Sequence, residues 1–89
     1  QLCEAATAAT GGSITGKRYP RNVNARMFVY AQLYREGYAI KEIGLAVGRT
    51  RETVVWYINQ YDEMFIYRNA NMSRIEQWLK FQEFIEKQK

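Results

Sequence analysis

Apolar positions between residues 23 and 36 recur at helical spacing. Val23, Met27, Tyr30, Ala31 and Tyr34 stand at i, i+4, i+7, i+8 and i+11, and Gly37 ends the run. This predicts a long helix over 23–36 with Asn22 as its cap. Ile40, Ile43 and Val47 then share one face of a short helix, and Gly44 lies on the same face, where a missing Cβ lets another helix cross closely. Gly48 follows the last apolar position, where a helix ends in a left-handed residue without steric penalty. Thr50 is placed to cap a second helix by accepting from the Thr53 amide. Val54, Ile58 and Tyr61 point that helix inward, while Arg51, Glu52, Val55, Trp56 and Asn59 point outward.

The second helix runs through Tyr61 towards Phe65 or Tyr67, and Arg68, Asn69, Ala70 and Asn71 break it. Ser73 and Glu76 have capping-box spacing and open a last helix over 73–88. Its apolar set is broad (Ile75, Trp78, Leu79, Phe81, Phe84, Ile85), so Phe81 or Phe84 is expected on the surface. Such a face either covers a small core or meets a protein partner, a second copy included. At the other end, Leu2–Thr10 is alanine-rich and weakly helical and stops at Gly11-Gly12-Ser13, with Ile14 as an anchor. Ala39 stands where a capping Ser or Thr is usual, so the helix from Ile40 is expected to start loosely, helped by Glu42 in its first turn.

No strand is expected. The fold class is all-α: a small helical bundle in one domain over 1–89, with a weak N-terminal helix and Gly linker (1–13), a basic loop (14–22), a long helix (23–36), a helix-turn-helix (40–61) and a C-terminal helix (73–88). A purely structural helical hairpin shares the apolar pattern. The outer face, with Arg49, Arg51 and Trp56 beside the turn, favours a DNA-binding unit.

Charge sharpens that reading. Residues 17–51 carry eight basic and two acidic side chains, a net +6, whereas 1–16 and 52–89 each net −1. A generic solvated surface mixes its signs along the chain, and this concentration matches a phosphate-facing surface. The loop Gly16-Lys17-Arg18-Tyr19-Pro20-Arg21 contains the sole proline, which disfavours helix at Tyr19 and keeps Lys17 and Arg18 extended. Such an arm either follows a phosphate strand or enters a minor groove; the bland alternative is a solvated loop.

Composition removes other classes. With 89 residues and 47% hydrophobic content the chain can bury a modest core, so it is not a disordered tail. It contains no histidine and a single cysteine, Cys3, which excludes an internal disulfide and the common zinc sites, and leaves no usual general base or thiol nucleophile. Asp62 and Glu63 diverge on a helix and do not form an acid/base pair. No enzyme, cofactor, metal or membrane association is expected, and a cytoplasmic, nucleoid-associated protein is. Opening on Gln1 rather than Met fits a piece of something longer.

The expected partner is double-stranded DNA. Thr50, Arg51, Glu52, Val55, Trp56 and Asn59 are the candidate base contacts; Arg51 suits guanine, Asn59 adenine, and Glu52 a cytosine amine or simply the helix N-terminus. Trp56 either stacks on sugar or a thymine methyl or is partly buried. Lys17, Arg18, Arg21, Arg26, Lys41, Arg49 and Thr53 are the candidate backbone or minor-groove contacts, with Arg26 open to a solvated reading.

Three stretches resemble a known family. Lys17 to Arg26, then Glu42-Ile43-Gly44, then Gly48-Arg49-Thr50-Arg51-Glu52-Thr53-Val54, together resemble the C-terminal DNA-binding domain of the bacterial replication initiator DnaA, over roughly residues 14–88. The resemblance implies a Trp-repressor-like helical bundle, a loop arginine (among Lys17, Arg18 and Arg21) in the minor groove, signature positions at Arg49 and Thr53, and a buried Val54. Thr50, Arg51 and Glu52 depart from the family's Asp-His-Thr, which reads bases, so the initiator's own target box is not implied. The family's ATPase domain is absent from this sequence, so a stand-alone, phage or mobile-element relative fits as well as an initiator fragment.

Overall fold

A computed structural model describes residues 1–88. The described residues form five α-helices: α1 (Leu2–Thr10), α2 (Pro20–Arg35), α3 (Ile40–Val47), α4 (Arg51–Ile66) and α5 (Met72–Lys87), with a 3-10 turn, Arg68–Ala70, between the last two. Among the described residues there is no strand, and no helix is long and apolar enough to cross a membrane.

Helix α2 is the axis of the bundle. Residues 22–31 are all buried, so the stripe that includes Val23, Met27, Tyr30 and Ala31 is only part of its contact surface. Phe28 and Val29, off that stripe, are buried as well, because α1 and α5 also pack on α2. Phe28 packs edge-on to Trp78 (centroids 5.3 Å) and stacks on Phe81 (5.6 Å), while Trp78 also meets Tyr61 of α4 at 4.8 Å. Amide pairs reinforce the packing: Asn24 Nδ2 donates to Gln77 Oε1 (3.2 Å) and Gln82 Nε2 to Gln32 Oε1 (2.9 Å).

Helix α1 fills the remaining groove between α2 and α5. Leu2, Ala5, Ala6 and Ala9 (i, i+3, i+4, i+7) form its inner face, with Ala5 and Ala6 fully covered, and small side chains allow the close approach. Gly11 ends it in the left-handed region (φ 75°). Ile14 is partly buried against the same core, as the anchoring expectation required.

Several boundaries differ from the sequence reading. Helix α2 starts at Pro20, three residues before Val23, because proline at the first helical position loses no hydrogen bond and its φ is already helical. Asn22 is therefore inside the helix and not its cap. Tyr34 is 48% exposed although it lies on the stripe, since the core ends before the last turn of α2. Helix α5 starts at Met72, so Ser73 and Glu76 fall inside it, and the junction is held by Asn71 Nδ2 donating to Tyr67 O at 2.9 Å. On α5 it is Leu79, 56% exposed, that faces out, whereas Phe81 is fully buried and Phe84 half-buried. The start of α3 is better fixed than Ala39 suggested, because the Glu42 carboxylate accepts from the Ala39 amide at 2.8 Å.

Candidate nucleic-acid interface

The turn between α3 and α4 follows from three residues. A Cβ on Gly44 would lie 2.8 Å from the Arg49 carbonyl oxygen, so only glycine lets the chain double back there. Gly48 takes φ 70° and sends its successor away from the α3 axis, with Arg49 N donating to Gly44 O at 2.9 Å. Thr50 caps α4, its hydroxyl oxygen accepting from Thr53 N at 3.3 Å and its proton going to Thr53 Oγ1 at 3.0 Å. Val54 and Ile58 then pack inward, and Val54 is fully buried.

This geometry turns the first two turns of α4 outward. Arg51, Glu52, Trp56 and Asn59 are exposed and Val55 is half-buried. Their offsets place all five on one side of the helix. Further along that side stand Asp62, Glu63 and Ile66, so cationic character is confined to the N-terminal half of α4.

The basic loop sits beside that half. Arg18 holds its guanidinium 4.4 Å from the centre of the Trp56 ring, a cation–π contact. Arg18, Arg49, Glu52, Thr53 and Trp56 line one open cleft of about 510 Å³, with Gly16 at its edge and Arg26 and Tyr57 on its buried side. Lys17, Arg21 and Lys41 are exposed but outside that lining, Arg21 lying 5.6 Å from the Tyr19 ring and Lys41 on α3. The loop is bent and not extended: Tyr19 N donates to Lys17 O at 2.8 Å.

Arg26 is the main correction. It is 3% exposed, and all three guanidinium nitrogens are engaged. Nε donates to Ile14 O (2.9 Å), Nη2 to Gly16 O, and Nη1 to the Tyr57 hydroxyl (3.2 Å). A side chain held this way inside the bundle is withdrawn from phosphate contact. Trp56, whose two readings were stacking on DNA or partial burial, is 39% exposed and supports Arg18 from below while its ring meets Tyr57 edge-on at 4.9 Å.

Three other buried residues shape the site. Asn22, 7% exposed, accepts from Ser13 N (2.8 Å) and donates to Lys17 O (2.7 Å), bracketing the loop. Tyr30 and Tyr57 meet edge to face at 5.1 Å beneath it. Burial pushes the Tyr30 phenol above its ordinary range, opposed by the Arg49 guanidinium beside its hydroxyl. The sequence reading missed Tyr57, although it lies three residues after Val54 and four before Tyr61, on the inward side of α4. Asn22 had no such signal, since its partners are loop backbone groups.

Among the described residues no group of three or more Cys, Asp or Glu side chains converges as a metal ion would require. No protein-family model, curated protein or solved structure matches this chain.

Proposed function

We propose that this protein binds double-stranded DNA with a sequence preference, laying the N-terminal half of α4 in the major groove and using the basic segment at 14–22, the loop together with the start of α2, as an accessory contact. The observation that carries the reading is the convergence of cations at one end of one helix. Arg18 from the loop and Arg49 from the turn line one cleft with the first turns of α4, and Arg51 stands two residues after Arg49 on the exposed side of that helix. Positive charge gathered beside an exposed helix suits a phosphate-lined groove.

Within that docking, Arg51 and Asn59 are the base readers, suited to guanine and adenine. Glu52, Val55 and Trp56 complete the groove-facing side; Lys17, Arg18, Arg21, Lys41 and Arg49 contact the backbone, Thr53 and the Thr50 cap fix the helix start, and Arg26 makes no DNA contact. The resemblance to the replication-initiator domain favours the same reading, with a role in replication or transcription. Because Thr50, Arg51 and Glu52 depart from the family's base-reading residues, the initiator's own target is not carried over. A protein-docking role for α5 has weaker support, because exposed Leu79 is flanked by the charged, exposed Glu76, Lys80 and Glu83.

Selection of bound duplexes from a random pool is the test. It should converge on a short motif, and Arg51→Ala should lose about 1–3 kcal/mol on that motif while relaxing preference at one base pair. If Arg51→Ala binds selected and random duplexes as the parent does, the α4 assignment fails.

A further inference from the structure

The buried guanidinium of Arg26 joins two segments that the DNA-binding reading treats as separate contacts. Its donors reach Ile14 O and Gly16 O on the loop and the Tyr57 hydroxyl on α4. Arg26 itself belongs to α2, so one side chain on the central helix ties the loop to the helix that faces the groove. A planar fork of five donors suits three acceptors in different directions; an ammonium carries the same charge but cannot span them.

The loop has few other holds. Residues 15–19 are exposed, Ile14 is its half-buried anchor, and Asn22 supplies the second bracket through Ser13 N and Lys17 O. Without ties of this kind an exposed basic arm orders only on meeting DNA and loses conformational entropy at that moment. We propose that Arg26 is a positioning residue that holds the loop and α4 as one preorganised unit, so that the Arg18 contact and the α4 contacts are energetically coupled. This rests on the DNA-binding reading above.

The tie can be measured without DNA. Trypsin cleavage after Lys17 and Arg18, and acrylamide quenching of Trp56 (against the buried Trp78), report whether the loop is seated. Arg26→Lys should raise the loop cleavage rate by about fivefold or more, as expected for a lost hydrogen bond in a locally opening segment, while cooperative thermal unfolding is retained. Tyr57→Phe, which keeps the ring packing and removes the acceptor, should move both readings the same way and serves if Arg26→Lys does not fold. With duplex present, Arg18→Ala should weaken the parent by about fivefold or more but the Arg26→Lys protein by less than about twofold, a non-additivity that a merely fold-stabilising role would not produce.

Cleavage and quenching unchanged from the parent in both variants would overturn the tie. Raised cleavage with multiplying, independent effects on duplex binding would overturn the coupling. A parent that binds no duplex would instead sink the DNA-binding reading, and the loop measurements would still report on the tie.

Discussion

Arg18, in a loop, lies over Trp56, in a helix, with its guanidinium carbon 4.4 Å from the ring centre. The contact brings a cation from outside the helix-turn-helix onto its outward face, and it makes Trp56 a support for an arginine. An exposed pair of this kind contributes about 0.5–1 kcal/mol. Trp56→Leu should therefore cost little global stability by urea denaturation, yet weaken duplex binding about as much as Arg18→Ala does. Equal binding by Trp56→Leu and the parent would show that the stacked Arg18 position is irrelevant to binding.

Gly44 faces the Arg49 carbonyl oxygen so closely that an added Cβ would stand 2.8 Å from it. The neighbour is backbone and cannot rotate away, so Gly44→Ala should destabilise the fold by about 1–3 kcal/mol. Val47→Ala, at a half-buried position on the same helix, serves as a control with a smaller loss. Chemical denaturation of both proteins checks the ordering.

The Thr50 hydroxyl holds the first turn of α4 through the Thr53 amide. Thr50→Ala should lower stability by about 1 kcal/mol, and Thr50→Asn, which preserves a capping oxygen, should restore most of it. Frayed amides at Arg51–Thr53 in hydrogen exchange would accompany the loss.

Two tyrosines set a pH dependence. Burial raises the Tyr30 phenol above the ordinary value of 10.0, against the opposing pull of Arg49, and burial also raises Tyr61, against Arg35. A raised folded pKa means that the native state holds its proton after the unfolded chain has released it. The associated stability is complete below pH 10.0 and is lost as pH climbs through the folded-state values. Denaturation midpoints should fall above pH 10.0, and Tyr30→Phe with Tyr61→Phe should flatten that fall. An unchanged alkaline slope in the double variant would show that these phenols are not its source.

Much of the fold could be read from periodicity. The short helix, Gly44, Gly48, the Thr50 cap and the inward Val54 and Ile58 were all legible, because each depends on local spacing and local backbone chemistry. The burial of residues 22–31 on every side of α2 was not, since a stripe says which side is apolar but not how many helices surround it. Arg26 escaped for a related reason. It stands three residues after Val23 and four before Tyr30, bordering the stripe, but a charge there reads as solvated unless loop carbonyls are known to reach it. Pro20 was read for its effect on Tyr19, and its fitness for the first helical turn was overlooked. The capping box at Ser73 failed because the 3-10 turn ends at Ala70 and Asn71, two residues before Ser73, takes the cap position.

The central claim is that the cations around the N-terminal half of α4 meet duplex phosphates. Its most direct measurement is the affinity for a fixed duplex, titrated across salt concentrations. Lys17, Arg18, Arg21, Lys41, Arg49 and Arg51 are exposed, and neutralisation of about five phosphates gives a slope of log affinity against log salt near −4 to −5. The account predicts that slope, reduced by about one unit in Arg18→Ala. A slope near zero, or one that Arg18→Ala and Arg49→Ala leave untouched, would contradict it.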